Sequence, residues 1–207
     1  MTYDCTGVIL AGGVNKRLPG IKKTFREIRG RMIMEVIHSL FTDLFDRVII
    51  VANDPAAFGE WDATIVSDIY PHRCPLAGIH AGLFYASTPR VFVSACDTPF
   101  LERRLAEYIL SQAGPGIDVV IPETDAGLEP LCATYSKHCL PLIETNLKNH
   151  IFKINRFFRE KRVRRIPMDK IQAIDPEIDS FFNINTPEDL ERARAIAVKK
   201  GEFNGYK

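Results

Sequence analysis

Residues 10–23, LAGGVNKRLPGIKK, set a glycine pair directly after an apolar run and then deliver four cations, Lys16, Arg17, Lys22 and Lys23. That combination suits a polyphosphate. Glycine accepts φ > 0 and lets backbone come close to an anion, successive N–H groups in such a loop form an anion-binding concavity, and lysine and arginine add full positive charge. The stretch matches neither GxxxxGK[ST] nor GxGxxG, and a surface turn beside a solvated basic patch fits the same spacing. Asp97 is the residue singled out for chemistry. It ends the apolar run RVFVSAC and is followed by Thr98 and Pro99, so its carboxylate can offer oxygens to Mg²⁺ beside bound phosphates. Capping of a helix that starts near Leu101 is the alternative role for such an aspartate. Asp68 ends a shorter apolar run, and Asn53 closes another.

Two further stretches look chemical. In CPLAGIHAGL, from Cys74, Pro75 and Gly78 bracket a small-residue turn into a helix, where backbone can approach a flat ring. In FFNINTPEDL, residues 181–185 read as a short strand, so Asn183 and Asn185 point to one side. Two amides aimed at one place suit a ligand or the water shell of an ion, and turn or capping roles suit them equally.

Elements must bring these residues together. A continuous β-branched run at 47–52 and the run at 90–96 are apolar on both faces, as central parallel strands are. Shorter strands are expected at 64–66, 118–121 and 131–135, with helices over 32–44, 78–86, 101–113 and 138–147. The segment 55–61 reads as a short helix or turn. Near the end, Thr186 at an N-cap, Pro187 at the first helical position and Asp189 three residues on form a variant capping box that opens a helix towards Val198. Strands alternating with helices imply an α/β fold with a mainly parallel sheet. Ligands of such sheets sit outside the carboxyl ends of the strands, the edge where Gly12, Asn53, Asp68 and Asp97 would meet.

The whole chain bounds the reading. Its 207 residues fit one domain, taken as 1–199 with a polar tail at 200–207. With 27 basic against 26 acidic residues the net charge is +1, which implies no broad surface for nucleic acid or an anionic membrane. No basic leader with an apolar core opens the chain and no apolar run approaches a membrane span, so a cytoplasmic location is expected. The five cysteines form no CxxC and read as reduced thiols. The basic stretch 156–165 reads as a solvated helix face and edge strand.

Five segments in order, LAGGVNKRLPGIKK, PLAGI, CDTP, EPLCATY and FFNINTPEDL, resemble the molybdenum cofactor guanylyltransferases of the MobA type across nearly the whole chain. The resemblance implies a three-layer Rossmann-like nucleotidyltransferase fold that joins GTP to molybdenum-bearing molybdopterin and releases pyrophosphate. By motif position, Leu10, Ala11, Gly12 and Gly13 would hold the nucleotide, Arg17 and Lys23 its triphosphate, and Asp68 the nucleoside. Asp97 would bind Mg²⁺ and GTP phosphate, while Pro75, Gly78, Asn183 and Asn185 would line the pterin side. Arg17, Lys23 and Asp97 are the implied catalytic set, and assembly proteins for molybdenum enzymes are implied partners.

LAGG resembles the guanine-using branch and LAAG the cytidine-using one, so Gly12 and Gly13 favour guanine. This chain departs from the pattern at Asn15, Pro19, Lys22 and Cys74, and it has Val51 where some relatives carry an asparagine, which leaves Asn53 as the second-strand candidate. Cytidylyl transfer to the same pterin, nucleotidyl transfer to a sugar phosphate, and a non-catalytic binding relative are the alternatives.

Overall fold

A computed structural model describes residues 3–12 and 26–201. In chain order the elements are β1 (Thr6–Leu10), β2 (Glu27–Ile28), β3 (Arg31–Met32), α1 (Ile33–Leu44), β4 (Val48–Val51), β5 (Thr64–Val66), α2 (Pro75–Tyr85) and β6 (Arg90–Ala95). They continue with α3 (Arg103–Ser111), β7 (Val119–Thr124), β8 (Gly127–Leu128), β9 (Cys132–Ser136), α4 (Leu140–Lys148), β10 (Val163–Ile166), α5 (Met168–Gln172) and α6 (Pro187–Lys199). The main sheet runs β10-β7-β9-β6-β1-β4-β5, with β8 beside β7. Its β1, β4, β5 and β6 pairings are parallel, as is that of β10 with β7. Strand β9 runs against both its neighbours, β6 and β7.

Period-two alternation sorts the side chains of the sheet into two cores. Ile9 and Ile50 join Met34, Ile37, Leu40 and Phe41 of α1 with Leu105 and Ile109 of α3. Val8, Ile49 and Val51 face the other way, onto Leu76, Ile79 and Leu83 of α2 and Ile143 and Leu147 of α4. The result is the expected helix–sheet–helix sandwich. A third, smaller core gathers Ile28 and Ile33 with Phe100, Ile184, Leu190 and Ala193, and so fastens α6 to the β2–β3 hairpin and to the segment after β6. Among the described residues no helix is long and apolar enough to cross a membrane.

Local signals explain most boundaries. Helix α2 starts at Pro75 rather than at Gly78, because proline fits the first helical turn, where its missing N–H would have no partner. The α6 capping box forms as the sequence predicts: Asp189 N donates to Thr186 Oγ1 at 3.1 Å, and Thr186 N donates to Asp189 Oδ2 at 2.9 Å. One expectation fails. Residues 181–185 are not a strand, since a 3₁₀ turn spans Asp179–Phe181 and the chain then runs on without a ladder. A backbone bond, Ile184 N to Asp97 O at 3.0 Å, ties it beside the sheet.

Candidate active site

The parallel strands β1, β4, β5 and β6 end on one rim, and their last residues shape a cleft there. The ladder persists past the strand ends: Ala11 N donates to Val51 O at 2.8 Å, Cys96 N to Leu10 O at 3.1 Å, and Ala52 N to Val66 O at 2.9 Å. These bonds fix the backbone just where it turns away. The cleft, about 350 Å³, is lined by Leu10, Gly12, Asp68, Pro75, Gly78 and Asp97, by Asn183 and Asn185, and by Val51, Cys74, Ala95, Cys96 and Leu131.

Asp97 is held by its neighbours rather than by a helix. Thr98 is buried, and its hydroxyl donates to Ala95 O at 2.8 Å and lies 3.1 Å from Ser94 Oγ. That turn leaves the Asp97 side chain half-buried in the cleft. The capping alternative does not hold, because Glu102 occupies the N-cap of α3. The bond from Ile184 N to Asp97 O brings the segment 183–185 across the rim. Ile184 is buried in the third core, so its flanking asparagines are turned out to solvent on the cleft side. The same-side orientation of the two amides therefore stands without a strand. Asn185 is fixed further by its own N–H, which donates to Asp189 Oδ2 at 3.0 Å.

On the other flank, α2 packs against β1 through glycines. A Cβ on Gly78 would lie 3.0 Å from Leu10 Cδ2, and one on Gly82 only 2.7 Å from Val8 Cγ1. Small residues four apart thus seat the helix against alternate residues of the strand and bring Pro75 and Gly78 to the end of β1. Asp68 follows β5, and burial in the cleft wall raises its carboxyl pKa from 3.8 to about 6. Burial likewise raises the Cys74 thiol, whose sulfur is otherwise eased by the N–H groups of Ala77 and Leu76 at the start of α2.

The remaining predicted site residues divide in two. Asn53 is exposed and sits beside the glycine turn, its Nδ2 3.3 Å from where a Cβ on Gly12 would be, and it does not line the cleft itself. Ala11 is half-exposed next to Gly12, held by its bond to β4. Gly13, Arg17 and Lys23, with the departures Asn15, Pro19 and Lys22, lie outside the described residues. Sequence reasoning did not name Leu131 or Cys96 for the cleft. Leu131 belongs to the EPLCATY segment and precedes β9, whose reversed direction puts its start on the functional rim.

The chemistry on this rim is that of hard oxygen donors beside a glycine turn. Asp68 and Asp97 supply carboxylates, and the two asparagines supply amides. Among the described residues no group of three or more histidines, cysteines or carboxylates is placed to enclose a metal ion. One or two carboxylates completed by substrate oxygens is how Mg²⁺ is commonly held beside phosphates.

Known proteins are similar to this chain in sequence and fold. The profile of the MobA-like NTP transferase domain matches residues 7–165. The molybdenum cofactor guanylyltransferase of Desulfosudis oleivorans is 42% identical over 199 residues, covering 96% of this chain and 98% of that protein. The crystal structure of molybdopterin-guanine dinucleotide biosynthesis protein A from Archaeoglobus fulgidus superposes with a TM-score of 0.83 at 30% identity, covering 94% of this chain and 99% of that one. The 2-C-methyl-D-erythritol 4-phosphate cytidylyltransferase of Thermus thermophilus, at 17% identity and a TM-score of 0.66, shares the fold alone. By the profile match and by these relatives, the chain belongs to the MobA-like NTP transferase family.

Proposed function

We propose that this chain transfers GMP from GTP to molybdenum-bearing molybdopterin, forming the guanine dinucleotide cofactor and pyrophosphate. One observation carries the reading: Leu10, Gly12, Asp68, Pro75, Gly78, Asp97, Asn183 and Asn185 converge on one cleft. The D. oleivorans relative, a molybdenum cofactor guanylyltransferase by name, supports it. We read residues 1–199 as the single domain that carries the activity, acting in the cytoplasm and passing its product to assembly proteins of molybdenum enzymes.

In this reading a terminal phosphate oxygen of the pterin substrate attacks the α-phosphorus of GTP, and the bond to the bridging oxygen of the departing pyrophosphate breaks. The nucleophile is already anionic, so no protein base is needed. The protein's task is to align the two substrates and offset charge. Leu10 to Gly13 would cradle the nucleotide, with Arg17 and Lys23 on its phosphates and Asn53 and Asp68 towards base and ribose. Asp97, with the substrate phosphates, would hold Mg²⁺. When bound there, the ion supplies neutralisation of the charge that gathers on the phosphates. Pro75, Gly78, Asn183 and Asn185 would seat the acceptor.

The test is pyrophosphate release from GTP and from CTP, side by side, with Mg²⁺ and molybdopterin acceptor. Release is expected with GTP only when the acceptor is present. Preferred use of CTP would overturn the guanine assignment, and nucleotide binding without release would overturn the enzymatic one.

A further inference from the structure

The EPLCATY segment enters the rim beside β6, and its one charged side chain is Glu129. Strand β7 ends at Thr124 on the functional rim, because it runs parallel to β6 with the reversed β9 between them. Its chain turns through β8 and comes back along the same rim to Leu131, which lines the cleft. Glu129 stands two residues before Leu131, pinned by its own N–H to Pro122 O at 3.0 Å and by its C=O, which accepts from Cys132 N at 3.1 Å.

The side chain is steered from the same hairpin: the Thr124 hydroxyl lies 3.2 Å from both Glu129 Oε1 and Gly127 O and shares its one proton between them, while its oxygen accepts from Ala126 N at 3.2 Å. The other carboxyl oxygen has no partner among the described residues, and the residue is half-buried. Burial raises its pKa, against the opposing pull of the Thr124 hydroxyl. A partly desolvated carboxylate with one oxygen anchored and one open can accept two parallel hydrogen bonds from a flat ligand that presents adjacent N–H donors.

Resting on the function proposed above, we infer that Glu129 is an acceptor-specificity residue, its carboxylate pairing with the ring N–H and 2-amino group of the pterin's 2-amino-4-oxopyrimidine edge. Guanine carries the same edge. Position along the rim favours the pterin: Glu129 sits over β7 and β9, across Asp97 from the glycine turn, Asn53 and Asp68, while the proposed acceptor seat runs from Pro75 and Gly78 at the end of β1 to Asn183 and Asn185 at Asp97 and shares its cleft with Leu131, two residues on from Glu129.

The experiment compares ligands that differ only at that edge. Binding of 6-hydroxymethylpterin and of 6-hydroxymethyllumazine, which has oxygen in place of the 2-amino group, is followed by ligand fluorescence in wild type and in Glu129→Gln. Turnover of GTP and of ITP, which lacks guanine's amino group, is measured in parallel. Wild type should prefer the pterin by roughly 10- to 100-fold, the range for losing a hydrogen bond to a charged group. Glu129→Gln should reduce that preference to about twofold and leave the GTP over ITP ratio in place. Glu129→Asp, which keeps the charge and withdraws it by one methylene, should weaken the pterin while keeping the order of preference. A purely structural role for Glu129 would weaken both pteridines alike.

An unchanged pterin over lumazine ratio in Glu129→Gln, or no pterin preference in wild type, overturns the inference. A variant that loses GTP over ITP discrimination instead assigns the carboxylate to the nucleotide and also overturns it. Failure of the proposed function has a different signature, the absence of GTP turnover in wild type whatever the pteridine binding.

Discussion

Replacing Gly82 by alanine tests how α2 is seated on β1, and through that the placement of Pro75 and Gly78 in the cleft wall. The new Cβ would lie 2.7 Å from Val8 Cγ1 and 3.0 Å from Cγ2. Neither methyl can retreat. Val8 is fully buried, β-branched and stiff at χ1, and its backbone is paired with both β4 and β6. Overpacking of this kind costs about 1–3 kcal/mol, and alanine's better helix propensity returns about 1 kcal/mol. A net loss of about 1 kcal/mol follows, or roughly 2–4 °C in Tm for a domain of this size. Val8→Ala alone should cost about 2 kcal/mol through the cavity it leaves. The double variant Val8→Ala/Gly82→Ala should be less destabilised than the sum of the singles, because one methyl fills the space the other has left. Urea midpoints followed by far-UV circular dichroism give the cycle. Gly78→Ala is the control: its Cβ would meet the flexible end of the half-exposed Leu10 at 3.0 Å, so that side chain can turn aside, and with alanine's better helix propensity stability should hold or rise by up to about 1 kcal/mol. Additivity of the Val8 and Gly82 changes within about 0.5 kcal/mol would refute the seating argument.

Asp97→Ala should lower pyrophosphate release by about 100-fold or more with the fold intact by circular dichroism; a rate near wild type would remove this carboxylate from the reaction. Burial raises the Asp68 pKa from 3.8 to about 6, so the folded protein holds this proton more tightly than the unfolded chain, and stability falls as pH rises between those two values. Asp68→Asn should therefore raise Tm near pH 7 and bring no gain near pH 4, while wild-type binding of the Mg²⁺–GTP complex, followed by calorimetry, strengthens as pH climbs through about 6. Thr186→Ala removes the cap of α6 and should cost about 1 kcal/mol, read as a drop of roughly 2–4 °C in a thermal melt.

How far the sequence reveals the molecule depends on whether each feature is local. Strands buried on both faces announce themselves, and β5 begins and ends where the apolar run at 64–66 does. The α6 cap is spelled out within four residues. Direction is another matter. Nothing in CATYS states that β9 runs against its neighbours, because strand orientation is decided by partners far away in sequence. The β2–β3 hairpin and β8 contribute two residues per strand, too few for any period to appear. The region 181–185 shows the limit most clearly. Its alternation correctly places Asn183 and Asn185 on one side, yet a backbone bond from Ile184 N to Asp97 O stands where a strand would have a ladder. In the cleft, the spacing-derived candidates Gly12, Asp68 and Asp97 do meet on one rim. Asn53 stands beside that rim rather than within the cleft, since it follows β4 by two residues and turns outward towards Gly12.

The bond between Ile184 N and Asp97 O joins positions 87 residues apart in the chain. A nascent polypeptide that has emerged just beyond Asp97, two residues past β6, already possesses Gly12, Asp68 and Asp97, but lacks the wall that the late segment provides. Because domains mature from the amino end during synthesis, the part of the cleft at the strand ends can form well before residues 183–185 close over it. Completion of the cleft is thereby postponed until translation is nearly finished, and a truncated product lacking residues 183–207 would bring Gly12, Asp68 and Asp97 together without the wall that Asn183 and Asn185 provide.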